Sequence, residues 1–579
     1  MGHCPIKTKL SHLIAMSVVL FAFAGNAFAD TQPSQPQGLN HAGIYQLRQI
    51  DPNLTGLGVK FAVVSRSITY IDGKPQNDYQ PQANHNCFKN TNFVFHDFQS
   101  AEGAEAGVSA HSTAVCSILF GQDPNAYNEQ IGGFSYEAAA PQAQADVYEF
   151  WHFLIDRVFT GKPPDANIIT ADVGYQFEDW WTRGIEAMAQ RYGKTIVVGI
   201  GNGSNSFDPP LYPGAGANVI GVGVVQSLNT GDPAEGLSHF ALVYPEYSSQ
   251  GPTSDGRSKP DIVAPGNCLA ADATEPNLYE PTGNWSSFAT PIVAGTAGLL
   301  FQKASSEPNL QLATSVEGGN CIIKAILLNS ATKLPYWHKG RLTKSDDHDF
   351  PLDWLQGAGM VNAVEAHNQL VAGRQLPGDC QPTGWDLNKL DLDETAKSYR
   401  FSVAEPADKM ITATVVWNKN FAASYPFEHE SDKDADIRLE LWALDSNDPN
   451  NGYLLDYSDS RSDNVEHIYT PADANTTEYE IVVSYNVDQE LSPQTTGPYG
   501  LVWNVAPQVE KDETLLYDLN SDGSVDDYDV KVLLDNILAS IEKPDRYLFG
   551  DINSDGVLDA ADLNLLLNHI TPPPPPANE

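Results

Sequence analysis

The chain has 579 residues, with 33 basic against 74 acidic side chains and a formal net charge of −41. So acidic a protein is a poor match for nucleic acid or an anionic membrane surface, which removes both as partners. The length calls for several domains, and beyond residue 29 no segment is long and apolar enough to span a bilayer.

Residues 1–29 read as a processing segment. Lys7 and Lys9 supply a short basic region, residues 13–24 an apolar run, and Ala27-Phe28-Ala29 a small-x-small cleavage site. Export is expected, with a mature chain that starts near Asp30 and is secreted. Cys4 leaves with this segment. Cys87, Cys116, Cys268, Cys321 and Cys380 remain, an odd number that permits at most two internal disulfides.

From residue 30 to 375, continuous apolar runs alternate with helical stretches. Residues 59–64, 195–200 and 219–225 are predicted strands, and residues 181–192 a helix. Apolar strands separated by helices imply an α/β fold, a parallel sheet covered by helices on both faces. Sites in such folds gather in loops past the strand carboxyl ends, which is where Ser65 and Asn202 fall.

Residues 385–507 change character. Short alternating runs at 399–403, 411–417, 437–442 and 479–485, separated by turn-rich loops, predict an antiparallel β-sandwich. No catalytic constellation is legible there.

Residues 513–571 contain an internal repeat. Asp518-Leu519-Asn520-Ser521-Asp522-Gly523 matches Asp551-Ile552-Asn553-Ser554-Asp555-Gly556, and each copy leads into a helix with an apolar stripe. The stripes are Val530, Leu533, Leu534, Ile537 and Leu563, Leu566, Leu567, Ile570. Loop positions 1, 3, 5 and 12 carry side-chain oxygens: Asp518, Asn520, Asp522 and Asp529, then Asp551, Asn553, Asp555 and Asp562. Ser524 and Val557 offer backbone carbonyls from position 7, and Gly523 and Gly556 make the sharp turn at position 6. Six to eight oxygens wrapped by one loop suit calcium, a hard cation. The pair resembles a dockerin module, a small α-helical calcium-binding domain. The resemblance implies docking to a cohesin-type receptor through the helices and through Asp527, Tyr528, Ala560 and Ala561. The proline-rich residues 572–579 are expected to be disordered.

Four segments of the first domain carry chemistry. His111-Ser112-Thr113-Ala114-Val115-Cys116 puts an imidazole at the start of a helix of small residues. Gly201-Asn202-Gly203 puts an amide on a turn after a strand. Gly251-Pro252-Thr253-Ser254-Asp255-Gly256-Arg257 runs on into Lys259-Pro260-Asp261-Ile262-Val263-Ala264-Pro265-Gly266. Ser287 then opens Ser287-Phe288-Ala289-Thr290-Pro291-Ile292-Val293-Ala294-Gly295. A serine at a helix start lies beside unpaired backbone N–H groups that can hold an oxyanion. Singly, each segment also reads as a cap or a turn. Together and in this order they resemble the subtilisin-like serine proteases over roughly residues 40–370. The resemblance implies that Ser287 is the nucleophile, His111 the general base and Asn202 an oxyanion-hole donor of a serine endopeptidase acting on protein or peptide. It also implies that the sandwich is of the jelly-roll kind often appended to this family.

One position departs. The family places a carboxylate just after the first strand, and here that place holds Ser65. A hydroxyl can orient an imidazole but supplies no charge to stabilise imidazolium. Another carboxylate must therefore reach His111, with Asp97 and Asp72 as candidates and Glu102 and Glu105 behind them, or activity is weak or lost. The alternative function is a non-proteolytic binding or scaffold protein tethered through its calcium module. Trp285 and Phe288 also replace the family's Gly and Met beside the nucleophile, and Trp285 is expected to crowd the approach of a peptide.

Overall fold

The computed structural model describes residues 34–65, 70–71, 74–75, 78–98, 107–203, 208–228, 233–244, 246–340, 344–391, 393–445, 448–485, 497–508, 513–542 and 550–570. Residues 1–29, the proline-rich end, Asp72, Glu102 and Glu105 lie outside the described residues.

Seven strands form a parallel sheet: β1 Lys60–Ser65, β2 Phe93–His96, β3 Gln144–Glu149, β4 Ile168–Ala171, β5 Thr195–Gly199, β6 Ile220–Val225 and β7 Ile262–Pro265. Their spatial order is β7-β6-β5-β4-β1-β3-β2. Successive side chains of a strand point to opposite faces, and both faces here are dry. Phe61, Val63, Val197, Val222 and Val224 enter one core. Ala62, Val64, Ile169, Ile196 and Val198 enter another. That is why these strands read as unbroken apolar runs rather than alternating ones.

Three helices set the site. α1 Ala110–Phe120 and α3 Ser286–Ser306 pack with the first core, and α2 Trp180–Tyr192 with the second. The small residues of α3 are a matter of clearance. A Cβ on Gly295 would sit 2.2 Å from that of Ala139, and one on Gly298 would sit 2.4 Å from the Phe61 ring.

The sandwich is two sheets around one core. Gly384–Asn388, Lys409–Trp417, Val465–Pro471 and Tyr499–Pro507 form one sheet; Gly378–Asp379, Ala396–Ser402, Ile437–Asp445, Asp448–Ser458 and Glu478–Tyr485 form the other. Tyr399, Leu439 and Leu441 meet Ile411, Val415 and Trp503 between them. The strands pair antiparallel, apart from a short parallel contact of Gly378–Asp379 with Ala396–Ser402.

The C-terminal repeat forms α4 Asp527–Glu542 and α5 Ala560–Leu567. Leu533 and Leu566 are buried as expected, but Leu534 and Leu567 face outward. α5 ends at Leu567, so Ile570 lies beyond the helix that its spacing suggested. Among the described residues, no helix is long and apolar enough to cross a membrane. The five cysteines after Cys4 are all free thiols.

Candidate active site

His111 is the second residue of α1, whose N-cap is Ser109, with the serine Oγ accepting the Ser112 N–H at 3.1 Å. The ring is partly open to solvent, and its Nδ1 lies 2.9 Å from Oδ2 of Asp172, whose side chain is buried. Burial works against the charged imidazole. The Asp172 charge beside it outweighs burial and holds the His111 pKa above the usual histidine value.

Asp172 was not among the carboxylates that sequence reasoning proposed. It follows β4, the strand paired with β1, and the last pair in that register is Val64 with Ala171. One residue further along each strand stand Ser65 and Asp172. The carboxylate that reaches the imidazole thus stands at the end of the strand next to β1. Ser65 is buried, and its hydroxyl has no hydrogen-bond partner among the described residues. Asp97 serves elsewhere, beyond the edge strand β2, accepting from the Tyr79 hydroxyl at 2.7 Å. The sequence does hold a signal for the acid. Ile168-Ile169-Thr170-Ala171-Asp172 is an apolar strand ending in Asp, the same pattern in which Ser65 ends β1.

Ser287 is the second residue of α3 and is 8 % exposed. Its chain neighbours tie it to the other two groups. Phe288 packs 5.5 Å from the His111 ring, centroid to centroid. Ser286 donates to Asn202 Oδ1 twice, from N at 2.7 Å and from Oγ at 2.9 Å. With Oδ1 so engaged, the NH₂ is the remaining hydrogen-bonding group of the Asn202 side chain. At the start of α3 the Ser286 N–H is taken by Asn202 and those of Phe288 and Ala289 donate to the Trp285 carbonyl, which leaves the Ser287 N–H without a partner among the described residues. Trp285 is 48 % exposed and stacks on Phe288 at 5.8 Å, so it forms an aromatic wall two residues before Ser287 along the chain.

The long Gly-Pro-Thr to Pro-Gly run is scaffold. Asp261 is buried with Lys259 and Lys324. Its Oδ1 lies 2.8 Å from Lys324 Nζ, its Oδ2 bonds Lys259 Nζ, and Oδ2 also accepts the Gly221 N–H of β6 at 2.7 Å. Burial opposes its charge, yet the two ammonium groups hold its carboxyl below the usual range. Lys259 is drawn down to about 7 by burial. Arg257 pairs with Asp255 at 2.8 Å and donates to the Ala215 carbonyl. These contacts tie the stretch before β7 to β6 and to the segment that precedes β6.

In the C-terminal repeat the two loops have the same shape. Ser521 and Ser554 both sit at φ 56°, and Gly523 and Gly556 at 84° and 85°. Asp518 accepts from the N–H groups of Asp522 and Gly523, as Asp551 does from Asp555 and Gly556. Asp529 and Asp562 are fully buried and accept loop N–H groups from the far end. Burial, with the like charges of Asp529 and Asp522, pushes the Asp518 carboxyl up to about 6. Among the described residues no three acidic, His or Cys side chains meet at metal-ligand spacing. The oxygens are strung along each loop instead. All are hard donors, and the buried like charges fit a divalent cation.

A profile of the subtilase family matches residues 58–359, more than half of the chain. The chain belongs to the subtilase family. A dockerin type I profile matches residues 512–575 of this subtilase. Among its relatives, serine protease AprX of Bacillus subtilis is 30 % identical over 239 residues, covering 38 % of this chain and 47 % of the relative. Pyrolysin of Pyrococcus furiosus is 29 % identical over 221 residues, covering 33 % and 14 %. The subtilase spans about half or less of the length of these curated relatives. A solved structure of the prenylagaramide maturation protease PagA is 21 % identical, with a TM-score of 0.36, covering 57 % of this chain and 98 % of that one.

Proposed function

We propose that this subtilase is an exported serine endopeptidase in which Asp172, not the residue after β1, orients the base. The 2.9 Å contact between His111 Nδ1 and Asp172 Oδ2 carries the reading. A neutral serine is a weak nucleophile and needs a base whose tautomer is fixed and whose charged form is stabilised. Asp172 supplies both, holding the proton on Nδ1 and leaving Nε2 free to accept. Ser287 Oγ attacks the peptide carbonyl carbon as its proton passes to His111 Nε2. The carbonyl oxygen becomes an oxyanion held by the Asn202 NH₂ and the Ser287 N–H. His111 returns the proton to the leaving amine, and water, activated by the same ring, hydrolyses the acyl-enzyme. Trp285 narrows one side of the cleft, which favours slender chain segments next to the scissile bond.

The proposed organisation is a signal segment over 1–29, the peptidase domain over 30–375, a β-sandwich over 385–507, the dockerin-like module over 513–571 and a proline-rich tail over 572–579. In the module, Asp518, Asn520, Asp522, Ser524 and Asp529, with Asp551, Asn553, Asp555, Val557 and Asp562, would hold calcium, which when bound neutralises the facing carboxylates. A cohesin-type receptor then tethers the secreted enzyme.

A fluorophosphonate probe tests the reading. Labelling of folded, calcium-treated protein that disappears in Ser287→Ala is the expected result. Absence of labelling in the wild type overturns it and leaves the non-proteolytic scaffold.

A further inference from the structure

The peptidase domain reaches into the C-terminal module with one side chain. Tyr336 is buried, and its hydroxyl donates to the carbonyl of Leu516, 180 positions away. Its φ is 63°, a left-handed value that bulky residues rarely adopt. Such a conformation persists only where its surroundings over-determine it, and here they do. Asp353 accepts the N–H groups of His338, Leu355 and Gln356 at 2.7–2.8 Å. Gln356 Nε2 donates to the Pro335 carbonyl and Trp337 Nε1 to the Gly357 carbonyl, each at 2.8 Å. The backbone on both sides of Tyr336 is thus clamped, and the ring is held out at a fixed angle.

That ring enters a continuous apolar cluster. Val225 and Val263 of the sheet, Trp354 and Leu355 of the clamp, and Leu519, Leu533, Ile552 and Leu566 of the module belong to it. The carboxylates of Asp562, Asp551 and Asp529, from both calcium-type loops, act on the Tyr336 hydroxyl. On its other side the clamp is bonded to the catalytic sheet. The Trp354 carbonyl accepts the Gly251 N–H at 2.9 Å, Val263 N–H donates to Gly359 at 3.0 Å, and Val361 N–H returns to Val263 at 2.9 Å. The clamp therefore covers the open edge of β7, the kind of strand edge that proteins protect from unwanted pairing.

We propose that the C-terminal module is folded back as a brace on the peptidase domain, with Tyr336 as its pin, so that calcium loading of the two loops stabilises residues 334–361 and the sheet edge beneath them. The inference rests on the calcium reading of the loops. A cation held in each loop orders the groups around the pin, and ordering that favours the docked state is transmitted to whatever docks.

Hydrogen exchange of the full-length chain, with calcium or with chelator, tests this. Calcium at about 100 times its dissociation constant slows exchange in residues 518–529 and 551–562 by up to about 100-fold, and residues 334–361 by at least about tenfold. In Tyr336→Ala the loops still respond to calcium and residues 334–361 no longer do. Tyr336→Phe, which keeps the ring and loses one hydrogen bond, retains most of the response and guards against misfolding of the alanine variant. If the loops respond and residues 334–361 do not in the wild type, the brace is overturned. If Tyr336→Ala leaves the coupling intact, the pin is overturned. If the loops themselves fail to respond, the calcium reading falls and the brace with it.

Discussion

Asp172 and Ser65 stand at the carboxyl ends of two paired parallel strands, one residue beyond the pair Val64–Ala171, and it is Asp172 that reaches His111, at 2.9 Å. A strand end is a good mount for a catalytic carboxylate because the sheet fixes its backbone on both sides.

Removing the charge should therefore cost far more at Asp172 than anything done to Ser65. Asp172→Asn is expected to lower kcat by about 10⁴-fold. Ser65→Ala removes a hydroxyl that has no partner among the described residues and should leave kcat within about threefold. Exchanging the two, Ser65→Asp with Asp172→Ser, should recover at least about tenfold over Asp172→Ser alone, measured as steady-state peptide hydrolysis. No difference between Asp172→Asn and Ser65→Ala would remove Asp172 from the mechanism.

The pH profile follows from the same pair. His111 must be neutral to take the serine proton, and its pKa lies above the usual 6.5 because Asp172 outweighs burial. A raised pKa keeps the proton on to higher pH, so kcat/KM climbs with pH and its acid limb sits above that value. In Asp172→Asn only burial remains, and the limb of the residual activity should move to lower pH. An unmoved limb would mean that another group sets it.

Asn202→Ala should lower kcat by about 10²–10³-fold with little change in KM, because the NH₂ acts on an oxygen whose charge develops in the transition state. Stopped assays over a range of substrate concentration separate the two parameters. A change confined to KM would make Asn202 a binding residue only.

Asp261 tests the scaffold. Asp261→Asn leaves Lys259 and Lys324 buried without their shared carboxylate, which is expected to cost about 3–5 kcal/mol of stability. Denaturant unfolding followed by fluorescence reads this directly. A loss below about 1 kcal/mol would mean that one lysine sheds its charge at little cost.

Much of the fold was legible because its signals are local. The predicted strand at 195–200 and helix at 181–192 are observed as Thr195–Gly199 and Trp180–Tyr192, since a buried parallel strand must be apolar throughout. The helical stripe was less reliable. Leu534 and Leu567 share the spacing of Leu533 and Leu566 but face outward, because a two-helix module has a single narrow core.

By itself, the sequence determined the family, the nucleophile, base and amide candidates, and the two calcium-type loops. Each is written in one contiguous segment, where residue order sets the geometry. The tertiary structure alone decided which carboxylate meets His111 and what Tyr336 enters. Both depend on neighbours that are remote along the chain, one chosen by the order of strands in the sheet and the other by how the last module packs against the first domain.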